Sequence, residues 1–133
     1  MTITARCFYC ERTIGYASNG NAHSLRITRD HIIPRSRGGS HHHLNLIPNC
    51  CHTCNGMKGS LFLEDFINLL VSKIEAGSRH SDRYITMAHN ARTLLEQIKP
   101  YRYRLLKVGY TGVDSNVEIK DIPQKPIGLP PRK

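Results

Sequence analysis

Two cysteine pairs of identical spacing limit this chain more than any other feature. Cys7-Phe8-Tyr9-Cys10 lies near the start, and Cys51-His52-Thr53-Cys54 follows forty residues later. Two intervening residues let both sulfurs of a pair turn to the same side. Each pair can then bite one edge of a tetrahedron, and the two together make a four-thiolate structural Zn²⁺ site. The gap is longer than that of a zinc ribbon, so the metal would pin the start of a domain to the start of a helix. Metal binding would then contribute directly to folding. Two unconnected reduced pairs, or a redox motif, leave the matched spacing unexplained. A fifth cysteine, Cys50, reads as a small buried side chain. The alternative, with Cys50 and Cys54 as the second pair, stays open at this level.

The rest of the chain is read around that staple. Residues 1–24 are turn-rich, with Gly15 and Ser18-Asn19-Gly20-Asn21, and predict a knuckle followed by an irregular or hairpin connection. Leu25 to Ile33 begins with apolar–polar alternation and stops at Pro34, which predicts a strand. Arg35-Ser36-Arg37-Gly38-Gly39-Ser40 predicts a loop. Leu44 to Pro48 predicts a short second strand or an extended run. A short helix is expected from about His52 to Lys58, stopped by Gly59. A longer one is expected from a Ser60 cap to Gly77, with Phe62, Phe66, Leu69, Leu70 and Ile74 on its apolar face. Another starts near Ser81 or Asp82 and carries Tyr84, Met87, Ala88, Ala91, Leu94, Leu95 and Ile98 at three- and four-residue spacing, until Pro100 ends it. These stripes are read as structural. Tyr101 to Leu106 alternates like a strand. The tail from about Asp114, with Pro123, Pro126, Pro130 and Pro131, has too little apolar content for a core and is expected to be extended.

Length and charge bound the function. At 133 residues, one domain is expected, with one modest core or two small ones. The net charge of +9 favours polyanionic partners, nucleic acid foremost. Its distribution is uneven: residues 1–60 carry net +5, residues 61–98 net −1, and residues 99–133 net +5. A nucleic-acid footprint is therefore sought on the two ends. The amino terminus lacks an apolar secretory stretch, and no segment has the length of a membrane span, so a cytoplasmic location with no membrane partner is expected. Free cysteines kept reduced there are better explained by metal than by disulfides.

Between the cysteine pairs lies a second pattern. Asp30-His31-Ile32-Ile33-Pro34 is followed by Gly38-Gly39-Ser40, Asn45-Leu46, and then Cys51-His52-Thr53-Cys54-Asn55 with Lys58-Gly59 close behind. In this order the segments resemble the HNH endonuclease family, over roughly residues 7–59. Any one part alone is weak; the ordered set is specific. The resemblance implies an α+β fold: a ββα-metal core with a structural zinc knuckle, followed here by two α-helices and a basic, partly extended C-terminal segment. The corresponding parts are residues 1–60, 61–99 and 100–133. It also implies a metal-dependent endonuclease that nicks or cuts DNA. His31 would be the general base that activates water. Asp30 and Asn55 would hold a catalytic divalent cation, Mg²⁺ or another. Asn45, the central asparagine, would orient the loop or the base rather than touch substrate. The small size resembles HNH proteins carried by phages and mobile elements. One departure stands out: the stretch from Asn45 to the second cysteine pair is slightly longer than the family pattern, and the tandem Cys50-Cys51 sits at that irregularity. Either the loop bulges or the ligand is Cys50.

The chemistry of the residues agrees with these roles. Phosphodiester hydrolysis needs an activated water and charge stabilisation at the leaving oxygen. A histidine titrates near neutral pH and can take the proton. A carboxylate, an amide oxygen, waters and a substrate phosphate suit Mg²⁺. Arg29, Arg35, Arg37 and Lys58 flank the site as candidate phosphate contacts. His41-His42-His43 is read as a solvated loop. Double-stranded DNA is the expected partner, with a protein partner supplying any specificity. A zinc-stabilised binding module without catalysis, or an RNase using the same site, are the competing readings. An intact Asp30, His31 and Asn55 count against the first of these.

Overall fold

The computed structural model describes residues 4–15 and 25–106, and the proline-bearing tail lies outside the described residues. It is a mixed α+β arrangement with two small antiparallel sheets and three helices. Strands β1 (Thr4–Arg6) and β2 (Thr13–Gly15) form a hairpin, and the first cysteine pair sits in its turn. Strand β3 (Ile27–His31) pairs with β4 (Leu46–Cys51), and helix α1 (His52–Lys58) follows directly. Helices α2 (Leu63–Glu75) and α3 (Ser81–Ile98) complete the set. Among the described residues, no helix is long and apolar enough to cross a membrane.

The β3–β4 register explains the extra length before the second cysteine pair. Thr28 pairs with Cys50, and Asp30 pairs with Ile47, so Arg29 alone faces Pro48 and Asn49. The additional residue is absorbed as a bulge in β4. Pro48, which has no N–H for the ladder, is exposed there. Asn49 uses the bulge to reach the hairpin: its carbonyl accepts from Phe8 N at 2.8 Å, and its Nδ2 donates to the Arg6 carbonyl at 2.7 Å. The loop-bulge alternative thus holds, and β4 still delivers Cys51 to the start of α1.

Helix α3 buries its predicted stripe, while α2 buries Leu63, Phe66, Ile67, Leu70 and Val71 and leaves the predicted Leu69 and Ile74 only partly buried. One apolar cluster runs from Cys7, Tyr9 and Ile14 through Ile33 and Ile47 to Phe66, Leu70, Met87, Leu95 and Leu105. Tyr9 meets Phe66 edge to face, with centroids 5.4 Å apart. Asn90 of α3 donates to the Tyr9 carbonyl and to Glu11, each at 2.8 Å. The helices therefore brace the knuckle from behind.

Several local expectations differ. The first core strand is shorter than Leu25–Ile33, because Ile32 and Ile33 leave the ladder before Pro34 and are buried. Ser60 does not cap α2. Phe62 holds the N-cap position, and its ring has no acceptor to cap the first turn. Glu64 and Asp65 supply favourable charge in the first turn instead. Tyr101–Leu106 is not a strand. The chain makes 3₁₀ turns over Lys99–Leu105, kinked at Tyr101, which seat Leu105 in the core. Its backbone joins the loop at a bridge between Gly39 and Leu106, with Ser40 N–H donating to the Leu105 carbonyl at 2.9 Å. Arg102 is drawn back to a bidentate pair with Glu64.

Candidate metal centre and adjoining pocket

The knuckle sulfurs come together as the spacing predicts. The Sγ atoms of Cys7, Cys10, Cys51 and Cys54 lie within 4.8 Å of one another, and all four residues are buried. Cys10 and Cys51 sulfurs are 3.8 Å apart, the edge of a tetrahedron whose metal–sulfur bonds are about 2.3 Å. Backbone N–H groups of Cys51 and Cys54 point at Cys7 and Cys51 sulfurs, both at 3.3 Å. Arg12 Nε donates to Cys10 Sγ at 3.3 Å. Such donors stabilise thiolate charge. The sulfurs also share protons: hydrogen bonds among them hold Cys7 and Cys10 below the ordinary thiol range, Cys10 at about 6, and push Cys51 and Cys54 above it. This donor set could hold a metal ion, and its chemistry fits zinc. Cys50 stands outside the cluster. It is fully buried, with its carbonyl accepting from Thr28 Oγ1 at 2.7 Å, and its thiol is pushed up by its hydrogen bond to Cys7 and by burial.

Cys51 also serves α1 as its N-cap, accepting from Cys54 N, so the sulfur cluster fixes where the helix starts and which way it faces. Asn55 is the next residue after Cys54. Its Nδ2 donates to Thr28 Oγ1 and to the Arg29 carbonyl, both at 3.0 Å. The amide nitrogen is thus spent on β3, and Oδ1 is the atom it can offer a cation.

A pocket of about 250 Å³ opens where β3, the following turn and α1 meet. It is lined by Asp30, His31, Pro34, Arg35, Ser36, Asn55, Gly59 and Ser60. Asp30, His31 and Asn55, which are far apart in sequence, therefore share one cavity. Asp30 is 2% exposed. Tyr9 Oη donates to its Oδ2 at 2.7 Å, and Lys58 Nζ donates to its Oδ1 at 3.2 Å. The same Lys58 ammonium donates to the His31 carbonyl at 2.8 Å.

This corrects the expectation that Lys58 reaches a phosphate. Lys58 is completely buried, because three residues after Asn55 it lies on the same face of α1 and turns inward onto β3. Burial lowers its pKa, and the Asp30 carboxylate opposes that shift. Tyr9 is held well above the usual phenol range by burial and then by the Asp30 charge. The other three cationic candidates, Arg29, Arg35 and Arg37, are exposed. Arg35 lines the pocket. Arg37 donates to the Ser60 carbonyl at 2.5 Å and lies over the Phe62 ring, 5.0 Å from its centroid.

Asn45 does not face the pocket. It is fully buried and ties the loop shut: its Oδ1 accepts from Ile33 N at 2.8 Å, and its Nδ2 donates to the carbonyls of Ile33 at 3.1 Å and Ser40 at 2.8 Å. The two glycines of the loop have separate reasons. Gly38 turns the chain at φ +90°. Gly39 passes so close to the other side of the loop that a Cβ would stand 1.7 Å from the Ile33 carbonyl oxygen. The closed loop brings His41 onto His31, with Nε2 and Nδ1 3.1 Å apart. His41 is exposed, as a solvated loop implies, yet it is a partner of the proposed base. Burial, and then the His41 charge, lower the His31 pKa.

Sequence reasoning missed Tyr9, Thr28 and His41. The i,i+3 relation of Asn55 and Lys58 was a legible sign that Lys58 faces the site. Tyr9 stands in a four-residue knuckle that has no periodicity to read.

Residues 7–70, under half of the 133, match the family model described as HNH endonuclease. No curated protein and no solved structure matches the chain. The matched segment holds both halves of the sulfur cluster, the β3–β4–α1 unit and the pocket between them. Over residues 7–70 the chain is similar to the HNH endonuclease family.

Proposed function

We propose that the chain is a metal-dependent endonuclease that hydrolyses phosphodiester bonds of DNA. The convergence of Asp30, His31 and Asn55 on one pocket carries this reading. His31 takes a proton from the attacking water. Its nitrogen is already a hydrogen-bond partner of His41, which steadies the ring. Asp30 and the Asn55 amide oxygen would hold a divalent cation, Mg²⁺ by ligand chemistry. When bound, that cation supplies charge stabilisation at the leaving oxygen. Arg35 at the rim, with Arg29 and Arg37 farther out, positions the phosphate backbone. Asn45 acts at one remove, by fixing the loop that carries His41. A structural Zn²⁺ on Cys7, Cys10, Cys51 and Cys54 sets the start of α1 and with it Asn55. Free thiols of this kind belong in a reducing compartment, and we place the activity in the cytoplasm. Cleavage discriminates little between sequences unless a partner protein supplies specificity.

The reading is tested by offering the purified zinc-loaded protein supercoiled plasmid and a structured RNA in parallel, with Mg²⁺, across a salt series. Plasmid nicking that falls steeply with salt supports it. Cleavage of RNA alone replaces the substrate. Salt-sensitive DNA binding with no cleavage in any divalent metal replaces the enzyme with a binding module.

A further inference from the structure

Lys58 and Tyr9 are buried polar side chains that the proposed chemistry does not use. Both end on Asp30. The Asp30 carboxylate has one oxygen on the Tyr9 hydroxyl at 2.7 Å and the other on the Lys58 ammonium at 3.2 Å. Neither Tyr9 nor Lys58 has measurable exposure. A carboxylate gripped at both oxygens by groups that cannot move into solvent has lost its rotation about χ2. Each oxygen still keeps a second lone pair for a cation. Lys58 fixes the neighbouring backbone as well, through the His31 carbonyl at 2.8 Å. One ammonium therefore sets the position of the carboxylate and of the strand end that bears His31.

Tyr9 adds a connection that the sulfur cluster alone would not have. It lies between Cys7 and Cys10, so the knuckle that would hold zinc also presents the hydroxyl that holds Asp30. Its ring is wedged against Phe8 and Phe66, and its carbonyl is held by Asn90 of α3. The hydroxyl has little freedom to follow a displaced carboxylate.

We propose that Tyr9 and Lys58 are positioning residues for the divalent-cation site, holding Asp30 as a ready-made ligand and tying the order of the zinc knuckle to that site. This rests on Asp30 being a cation ligand, as proposed above. Groups that orient a metal ligand from behind commonly change metal affinity about ten-fold or more when removed. Tyr9→Phe removes one hydroxyl and keeps the ring that the core needs. Lys58→Met removes the charge and keeps most of the stem.

The experiment measures Mn²⁺ binding by electron paramagnetic resonance. It uses the zinc-loaded full chain with an uncleavable phosphorothioate duplex bound. Wild type, Tyr9→Phe, Lys58→Met and Asp30→Ala are compared, with zinc content and thermal melting recorded for each. The proposal expects Tyr9→Phe to keep its zinc and its fold while its Mn²⁺ dissociation constant rises about ten-fold. In turnover, the metal concentration for half-maximal rate should rise with it, and excess Mn²⁺ should recover most of the maximal rate. Lys58→Met should weaken Mn²⁺ binding in the same direction. If Lys58→Met does not fold, Tyr9→Phe alone decides. A folded, zinc-loaded Tyr9→Phe that binds Mn²⁺ as tightly as wild type overturns the proposal while leaving the cation site standing. Wild type and Asp30→Ala binding Mn²⁺ alike overturns both.

Discussion

Replacing Asn45 with alanine should damage the fold, although the residue stands in the middle of the family motif. The Asn45 side chain makes three hydrogen bonds, all to backbone, at 2.8, 3.1 and 2.8 Å, in a site with no exposure. Each bond is worth about 1 kcal/mol net. Truncation also leaves the Ile33 N–H without its acceptor, in a residue only 1% exposed, at a cost of about 1–3 kcal/mol. With the two Nδ2 bonds at about 1 kcal/mol each and the orphaned Ile33 N–H at about 1–3 kcal/mol, the expected loss is about 3–5 kcal/mol, a large share of the roughly 5–15 kcal/mol that holds a domain folded. Urea denaturation followed by circular dichroism, with zinc in the buffer, measures it directly. Asn45→Asp is the informative companion. It keeps the acceptor for Ile33 N–H but turns a carboxylate oxygen toward the carbonyls of Ile33 and Ser40, so it should also be clearly destabilised. Wild-type stability in both variants, with loss confined to catalysis, would refute the argument and make Asn45 a residue that acts on substrate.

Gly39→Ala should fail to reach the native loop, because its Cβ would sit 1.7 Å from the Ile33 carbonyl oxygen; a well-dispersed, wild-type-like NMR spectrum would contradict this. Zinc should be found at one ion per chain, and stripping it should unfold the β4–α1 junction, seen as lost helical signal and a lower melting temperature. The pH profile should follow His31. It must be neutral to accept a proton, and its pKa is lowered, so the acid limb of the rate should lie below the ordinary histidine value of 6.5. His41→Ala removes one cause of that lowering and should move the limb upward; a wild-type limb at or above 6.5 would contradict it.

What the sequence made legible follows from how local each signal is. Matched cysteine spacing encodes a tetrahedron, and the sulfurs do gather. Stripes with helical period need only one apolar surface to cover, and α2 and α3 run close to where those stripes place them. The extra length before Cys51 carried real information too, since it emerges as the bulge at Pro48 and Asn49. Side-chain direction was less accessible. Lys58 looked like one more surface cation, because lysine rarely goes fully inside without a partner, and Asp30 as that partner is visible only once α1 lies on β3. His41 depends on loop closure by Asn45 and Gly39, which is tertiary. Tyr101–Leu106 misled for another reason. Its alternation over a few residues resembles a strand, but the chain coils in 3₁₀ turns on either side of a kink at Tyr101 and turns Leu105 into the core.

We propose His31, at the end of β3, as the base that activates water for phosphodiester hydrolysis in the pocket shared with Asp30 and Asn55. Supercoiled plasmid nicking tests it most directly, comparing wild type with His31→Ala at equal zinc content, with and without added Mg²⁺. Wild type should nick with Mg²⁺ and not without it, and a His31→Ala variant that still binds plasmid should lose about 10²-fold or more. Nicking by His31→Ala at the wild-type rate would contradict it.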